Sequence, residues 1–237
     1  MSAPVTSEAT SSAGSYPPTR YSPPPASARI ILVRHGTPEA YRPGDDRGVF
    51  DGQDDPRLAP EGREQAEKVG RYLAARGVTG VYTSPLRRAI ETARPLSRLL
   101  GISPVVIGEL REVHLGQWEG GLIHQRLNEG DPLWSVVLEQ ERWDAIPEAE
   151  DNESLRARVR SALTRIALAH PDGTVVAFTH DGVIAAALSV VTGSRPFAFA
   201  SSVHASTSEL VAEPPDRWRL RRFNSTAHLE LPVETRR

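Results

Sequence analysis

Four short segments of this chain gather side chains able to do chemistry on an anionic substrate: Arg34-His35-Gly36, Ser84-Pro85-Leu86-Arg87-Arg88, Glu109-Leu110-Arg111-Glu112 and Thr179-His180-Asp181-Gly182. Imidazole is nucleophilic or proton-carrying near neutral pH, guanidinium offers a planar fork to oxyanions, and glutamate exchanges protons. Taken singly, each residue also has a structural reading. A lone histidine after a strand is usually stacked or capped. Either Arg87 or Arg88 can turn inward, Glu112 can pair with Arg111 on the surface, and Ser84 and Asp181 are good helix caps.

Position sets these segments apart, because each follows a strand-like run. Ile30-Ile31-Leu32-Val33 is continuously apolar, as in a strand buried on both faces. Val78 to Thr83, Pro104 to Ile107 and Thr174 to Thr179 read as further strands. Between them, Glu61 to Arg76 places Ala66, Val69 and Leu73 at helical spacing, with Gly77 as the stop. Ser84-Pro85 reads as an N-cap followed by proline at the first position of a helix running to about Leu100. Ser154 to Ala169 carries Leu155, Val159, Leu163 and Ile166 on one face, and a helix from Asp181 to about Val191 follows the fourth strand. Ser206 to Ala212 and Trp218 to Phe223 look like closing strands, antiparallel at an edge. Residues 113–151, with Trp118, Trp134 and Trp143, suggest irregular chain and short helices. The alternation predicts an α/β domain whose largely parallel sheet has helices on both faces. Ligands of such domains bind beyond the carboxyl ends of the strands, where all four segments fall.

The segments also match, in order, the motifs of one family. Val33-Arg34-His35-Gly36-Thr37 resembles the signature of the histidine phosphatase superfamily, which includes cofactor-dependent phosphoglycerate mutase. Ser84 to Ala93 resembles its second motif, with Arg88 at the second phosphate-binding arginine. Leu110 to Gly120 is similar to the stretch bearing the acid and puts Glu112 on the proton-donor position. Thr179-His180-Asp181-Gly182 matches the final motif, which supplies a second histidine. The likeness runs from about Arg29 to the end. Arg-His-Gly alone would be a weak signal, whereas four ordered motifs are a specific one.

This resemblance implies a phosphoglycerate mutase-like three-layer α/β/α sandwich and a role for each residue. His35 would attack phosphorus to give a phosphohistidine, which water then hydrolyses. Arg34 and Arg88 would clamp the non-bridging oxygens, and His180 would donate a further hydrogen bond to them. The guanidinium groups would also disfavour protonation of His35. Glu112 would protonate the leaving alkoxide and later accept a proton from water. Nothing in this apparatus needs a metal or organic cofactor. Ser84 reads chiefly as the N-cap, its hydroxyl also able to face the pocket, and Asp181 as a cap of the helix it opens.

Two positions depart from the family pattern. Tyr41 stands where many relatives carry asparagine, and Ala59 where they often have threonine, so the loop 37–60, with Pro38, Pro43, Gly44, Asp45, Asp46 and Arg47, reads as rebuilt. Mutases of the family extend a basic insertion over the substrate. Here residues 139–153 hold seven acidic side chains, a poor cradle for a doubly phosphorylated intermediate or else an ordinary solvated face. Hydrolysis is therefore preferred to mutase-type transfer. A non-catalytic phospho-ligand-binding protein would show decay of the nucleophile or acid, and neither is seen. A dinucleotide enzyme would need a Gly-x-Gly-x-x-Gly turn after the first strand, and there is none.

Composition narrows the field further. The 237 residues, 39% hydrophobic and 24% charged, suit a globular domain, and a net charge of −2 draws it neither to nucleic acid nor to an anionic membrane. The absence of cysteine excludes disulfides and every cysteine-nucleophile phosphatase mechanism. No secretion signal is visible, so a cytoplasmic location is the expectation. Residues 1–28 contain 7 Ser, 6 Pro, 5 Ala and 3 Thr, which predicts a disordered tail ahead of a single domain at 29–237. The expected partner is a small phosphorylated metabolite, and the oligomeric state stays open, a homodimer included. His114, His124, His170, His204 and His228 show no metal-ligand spacing, and His204 is the best placed of them for a pocket.

Overall fold

The computed structural model describes residues 21–230. Its core is a six-stranded sheet built on β1 (Ala28–Arg34), which pairs in parallel with β6 (Thr174–Thr179). Outward from β6 lie β4 (Val78–Thr83) and the short edge strand β5 (Val105–Val106), both parallel. On the other side β7 (Thr207–Glu213) and β8 (Arg217–Ser225) close the sheet as an antiparallel pair.

The continuous apolar runs are explained by burial on both faces. Ile30, Leu32, Val175 and Ala177 face one layer, formed by α5 (Asn152–Ala169) and α6 (Asp181–Thr192). Their neighbours Ile31, Val33, Val176 and Phe178 face the other, formed by α1 (Pro60–Ala74) and α2 (Arg87–Leu100). Fully burying each such side chain stabilises the fold by about 1.5–3 kcal/mol. The strand registers then align the site. Arg34 lies opposite Thr179 and Thr83 opposite Phe178, so His35, His180 and Ser84 leave the sheet side by side.

Three local expectations are corrected. Helix α2 starts at Arg87 rather than at Pro85, and Ser84 is not its N-cap. The Arg87 N–H instead donates to Asp55 Oδ1 at 2.6 Å, so a carboxylate from a distant loop serves the helix end while residue 86 stays extended. The strand expected over Pro104 to Ile107 shortens to β5, whose two residues are exposed at the sheet edge. In the loop 37–60 an unforeseen hairpin pairs β2 (Val49–Phe50) with β3 (Gln53–Asp54).

Residues 113–151 form a small cap in which α3 (Leu122–Glu129) and α4 (Pro132–Gln140) follow one another between two single 3-10 turns. Its own apolar cluster is built from Trp118, Val137 and Ile146, with Trp134 and Trp143 against it. Of the segment expected as a tail, residues 1–20 lie outside the described residues. Tyr21 is placed against the sheet, its hydroxyl donating to Glu213 and its ring beneath Arg221. Among the described residues no helix is long and apolar enough to cross a membrane.

Candidate active site

At the carboxyl end of β1 the chain turns into Gly36 under α1. A Cβ on Gly36 would stand 2.5 Å from the Gly62 carbonyl oxygen, so only glycine permits this approach. The Gly36 N–H donates to Thr92 Oγ1 at 3.0 Å, which ties the turn to α2.

His35 is buried beside this turn, and its Nδ1 lies 2.8 Å from the Gly36 carbonyl oxygen. A carbonyl can only accept, so Nδ1 carries the proton and Nε2 keeps its lone pair. Burial first, then Arg88, Arg34 and His204, hold the pKa of His35 well below that of free imidazole. The ring is thus a neutral nucleophile across the physiological range.

Of the side chains expected around it, Arg34, Arg88, Glu112 and His204 meet with His35 at one cavity of about 400 Å³, which Asp181 also lines, whereas His180 lies behind His35 and is not part of the lining. Arg34 donates to the Ser202 carbonyl, while its Nε has no partner among the described residues. Arg88 is buried and donates from one terminal nitrogen to the Asp54 carbonyl at 2.8 Å. Arg87, the alternative inward arginine, instead binds Asp55 and the Arg47 carbonyl and staples the loop to α2.

Glu112 follows the 3-10 turn at Gly108–Leu110 and does not pair with Arg111, whose partner is Asp51. Its Oε1 accepts the Val113 N–H at 2.9 Å, and a Cβ on Gly182 would press within 2.7 Å of the same oxygen. Burial, then the negative charge of Asp181, raises the Glu112 pKa above the usual carboxylate value. The strand-like turn carrying it is fixed by Arg158 of α5, which donates to the carbonyls of Glu109, Arg111 and Glu112 and pairs with Glu150.

His180 is fully buried at the start of α6, its ring centroid 5.1 Å from that of His35. Its Nε2 lies 2.8 Å from Ser84 Oγ, which already accepts the Leu86 N–H. Donation of the Ser84 proton to Nε2 leaves Nδ1 as the N–H of His180, and Nδ1 has no partner among the described residues. Ser84 therefore orients His180 instead of lining the cavity. His204 does line it, with its ring 5.4 Å from His35 and its pKa lowered to about 4 by burial and Arg34.

One further reading changes and one open reading closes. Asp181 does not cap α6; its carboxylate accepts from the Ser201 and Ser202 N–H groups and the Ser202 hydroxyl, which holds the loop beside Arg34. None of the seven acids at 139–153 lines the cavity, so there is no acidic cover. They serve the cap and α5: Asp151 is the α5 N-cap, and Glu141 and Glu150 pair with Arg195 and Arg158. The three tryptophans both pack the cap and wall the cavity.

Arg47, Gln53, Asp54, Glu119 and His124 also line it and escaped the sequence reading. Arg47, Gln53 and Asp54 had a signal in their place in the departing loop 37–60, and Glu119 in the stretch that bears the acid. Among the described residues no group of three or more His, Cys, Asp or Glu is arranged to hold a metal ion.

Comparison with known proteins agrees with this architecture. Residues 30–226 match the family model of the histidine phosphatase superfamily (branch 1). Phosphoglycerate mutase-like protein 4 of Arabidopsis thaliana is 32% identical over 86% of this chain and 87% of its own. Glucosyl-3-phosphoglycerate phosphatase of Mycobacterium tuberculosis is 31% identical over 67% of this chain and 72% of its own. The solved native structure of a mycobacterial glucosyl-3-phosphoglycerate phosphatase superposes with a TM-score of 0.71 at 28% identity, covering 84% of this chain and all of that one.

Proposed function

This chain belongs to branch 1 of the histidine phosphatase superfamily, and on that premise we propose that its cavity hydrolyses phosphomonoesters of small metabolites with His35 as the nucleophile. The observation that carries the assignment is the tautomer of His35, whose proton is held by Gly36 while Nε2 stays unprotonated beside two arginines.

In the first step the Nε2 lone pair forms a bond to phosphorus as the ester P–O bond breaks. Glu112, whose pKa burial and Asp181 raise, gives its proton to the departing alkoxide. Arg34, Arg88 and the His180 Nδ1–H take up the charge spreading over the phosphoryl oxygens. In the second step water attacks phosphorus, Glu112 accepts its proton, and the P–N bond breaks to restore His35. A substrate of metabolite size suits a 400 Å³ cavity with a cationic floor and tryptophan walls, and the mycobacterial relative is named for a glucosylated phosphoglycerate.

The pH profile follows from the two displaced groups. His35 must be neutral, so its acid limb in kcat/KM moves down with its pKa. Glu112 must be protonated, so its alkaline limb moves up from the ordinary 4.5. An alkyl phosphate should therefore be cleaved best at acid pH, as in an acid phosphatase, after allowance for the ester's own ionisation near about 6. An acid limb at the ordinary imidazole value of 6.5 would contradict this assignment.

The direct test is hydrolysis of an aryl phosphate with a chelator present. Turnover unchanged by the chelator is expected, whereas loss restored by added metal would overturn the metal-independent scheme.

A further inference from the structure

Arg47 is a buried cation that the proposed hydrolysis does not use. Its side chain is only 5% exposed, yet Nε and both terminal nitrogens lack a hydrogen-bond partner among the described residues. Among the described residues its one ion pair is with Asp54, whose Oδ2 stands 3.2 Å from a terminal nitrogen without hydrogen-bond alignment. Burying a guanidinium without aligned acceptors is costly, so an acceptor that enters the cavity at Arg47 would be held strongly.

The surrounding chain holds Arg47 in place. Its guanidinium carbon lies 5.7 Å from the centre of the Tyr41 ring, within cation–π range. Tyr41 packs in turn on Gly121, where a Cβ would come within 2.2 Å of the ring. Arg87 grips the Arg47 carbonyl, and Gly48, at φ +77°, leaves room for the Arg87 guanidinium. The tyrosine that replaces the family's asparagine is thus the platform for the arginine.

Arg47 and Arg88 meet the same residue, Arg47 at the Asp54 carboxylate and Arg88 at its carbonyl, so Arg47 extends the cationic lining from the phosphoryl clamp toward His124. Both Arg47 and His124 line the cavity, next to Ile123 and Leu127 of α3.

We propose that Arg47, with His124 beside it, is a second anion subsite that binds a carboxylate on the carbon skeleton of the phosphate ester. A carboxylate matches the guanidinium fork in shape, and its single charge suits a cation already part-compensated by Asp54. The proposal rests on the phosphatase reading for the placement of the ester at His35.

Its test is a matched pair of esters, 3-phosphoglycerate and glycerol 3-phosphate, which differ in carboxylate against hydroxymethyl. The wild-type chain should favour the first by about tenfold or more in kcat/KM, carried by KM. Arg47→Met should erase that ratio, and Arg47→Lys should restore part of it. Calorimetric binding of both esters to His35→Ala should give the same preference without turnover. Binding that keeps the preference while the wild type hydrolyses neither ester would sink the phosphatase reading and leave the subsite standing. An unchanged ratio in Arg47→Met, or equal loss on both esters, would overturn the subsite.

Discussion

Replacing His35 with alanine should reduce phosphatase turnover on the order of 10⁴-fold or more, the scale on which loss of a covalent nucleophile acts. The substitution removes the imidazole whose unprotonated Nε2 is presented beside Arg34 and Arg88. His180 has its Nε2 engaged by Ser84 and is left with an N–H. Folding should survive, because the buried ring makes one local hydrogen bond to its own neighbour, Gly36, and the strand it ends is fixed on both sides. Rates of aryl and alkyl phosphate cleavage, with circular dichroism as a control, measure this. A folded variant within tenfold of wild type would show that another group attacks phosphorus.

Glu112→Gln should give the second large effect, one that depends on the leaving group. Glutamine keeps the shape and can still accept the Val113 N–H, but it has no proton to give. Alkyl phosphates, whose alkoxide leaves poorly, should slow by about 10²–10⁴-fold, the usual contribution of a positioned general acid. An activated aryl phosphate needs little protonation, so its first step should slow by less than about tenfold. The alkaline limb of the alkyl profile should vanish with the carboxyl group. Equal losses in kcat/KM, which reports the first step alone, on both ester types would remove Glu112 from the acid role.

The frame of the fold was legible because the central strands are buried on both faces and write that burial as unbroken apolar runs. Val78 to Thr83 and Thr174 to Thr179 fall where the sequence reading puts them, and parallel register then carries His35, His180 and Ser84 to one rim. Arg34, Arg88 and Glu112 come to the same cavity from residues far apart in the chain. What stayed hidden is long-range polar pairing, which leaves no periodic trace. Asp55 supplies the end of α2 that Ser84 was expected to cap, and Asp181 turns away from its own helix to the loop at Ser201 and Ser202. Arg158 looks like one more arginine on an exposed helix, yet it fastens the Glu112 turn. The acidic run at 139–153 reads from composition as a cover or as a solvated face, and the second holds, with its partners fixed by folding.

The central claim is a covalent phosphoryl group on one histidine nitrogen. Rapid quenching of the wild-type chain during turnover of a radiolabelled phosphomonoester, followed by peptide mapping, tests it most directly. An acid-labile, base-stable label is expected on His35, absent from His35→Ala and accumulating fastest with an activated aryl ester. A chain that turns over without any such label, or that carries it on another residue, would contradict it.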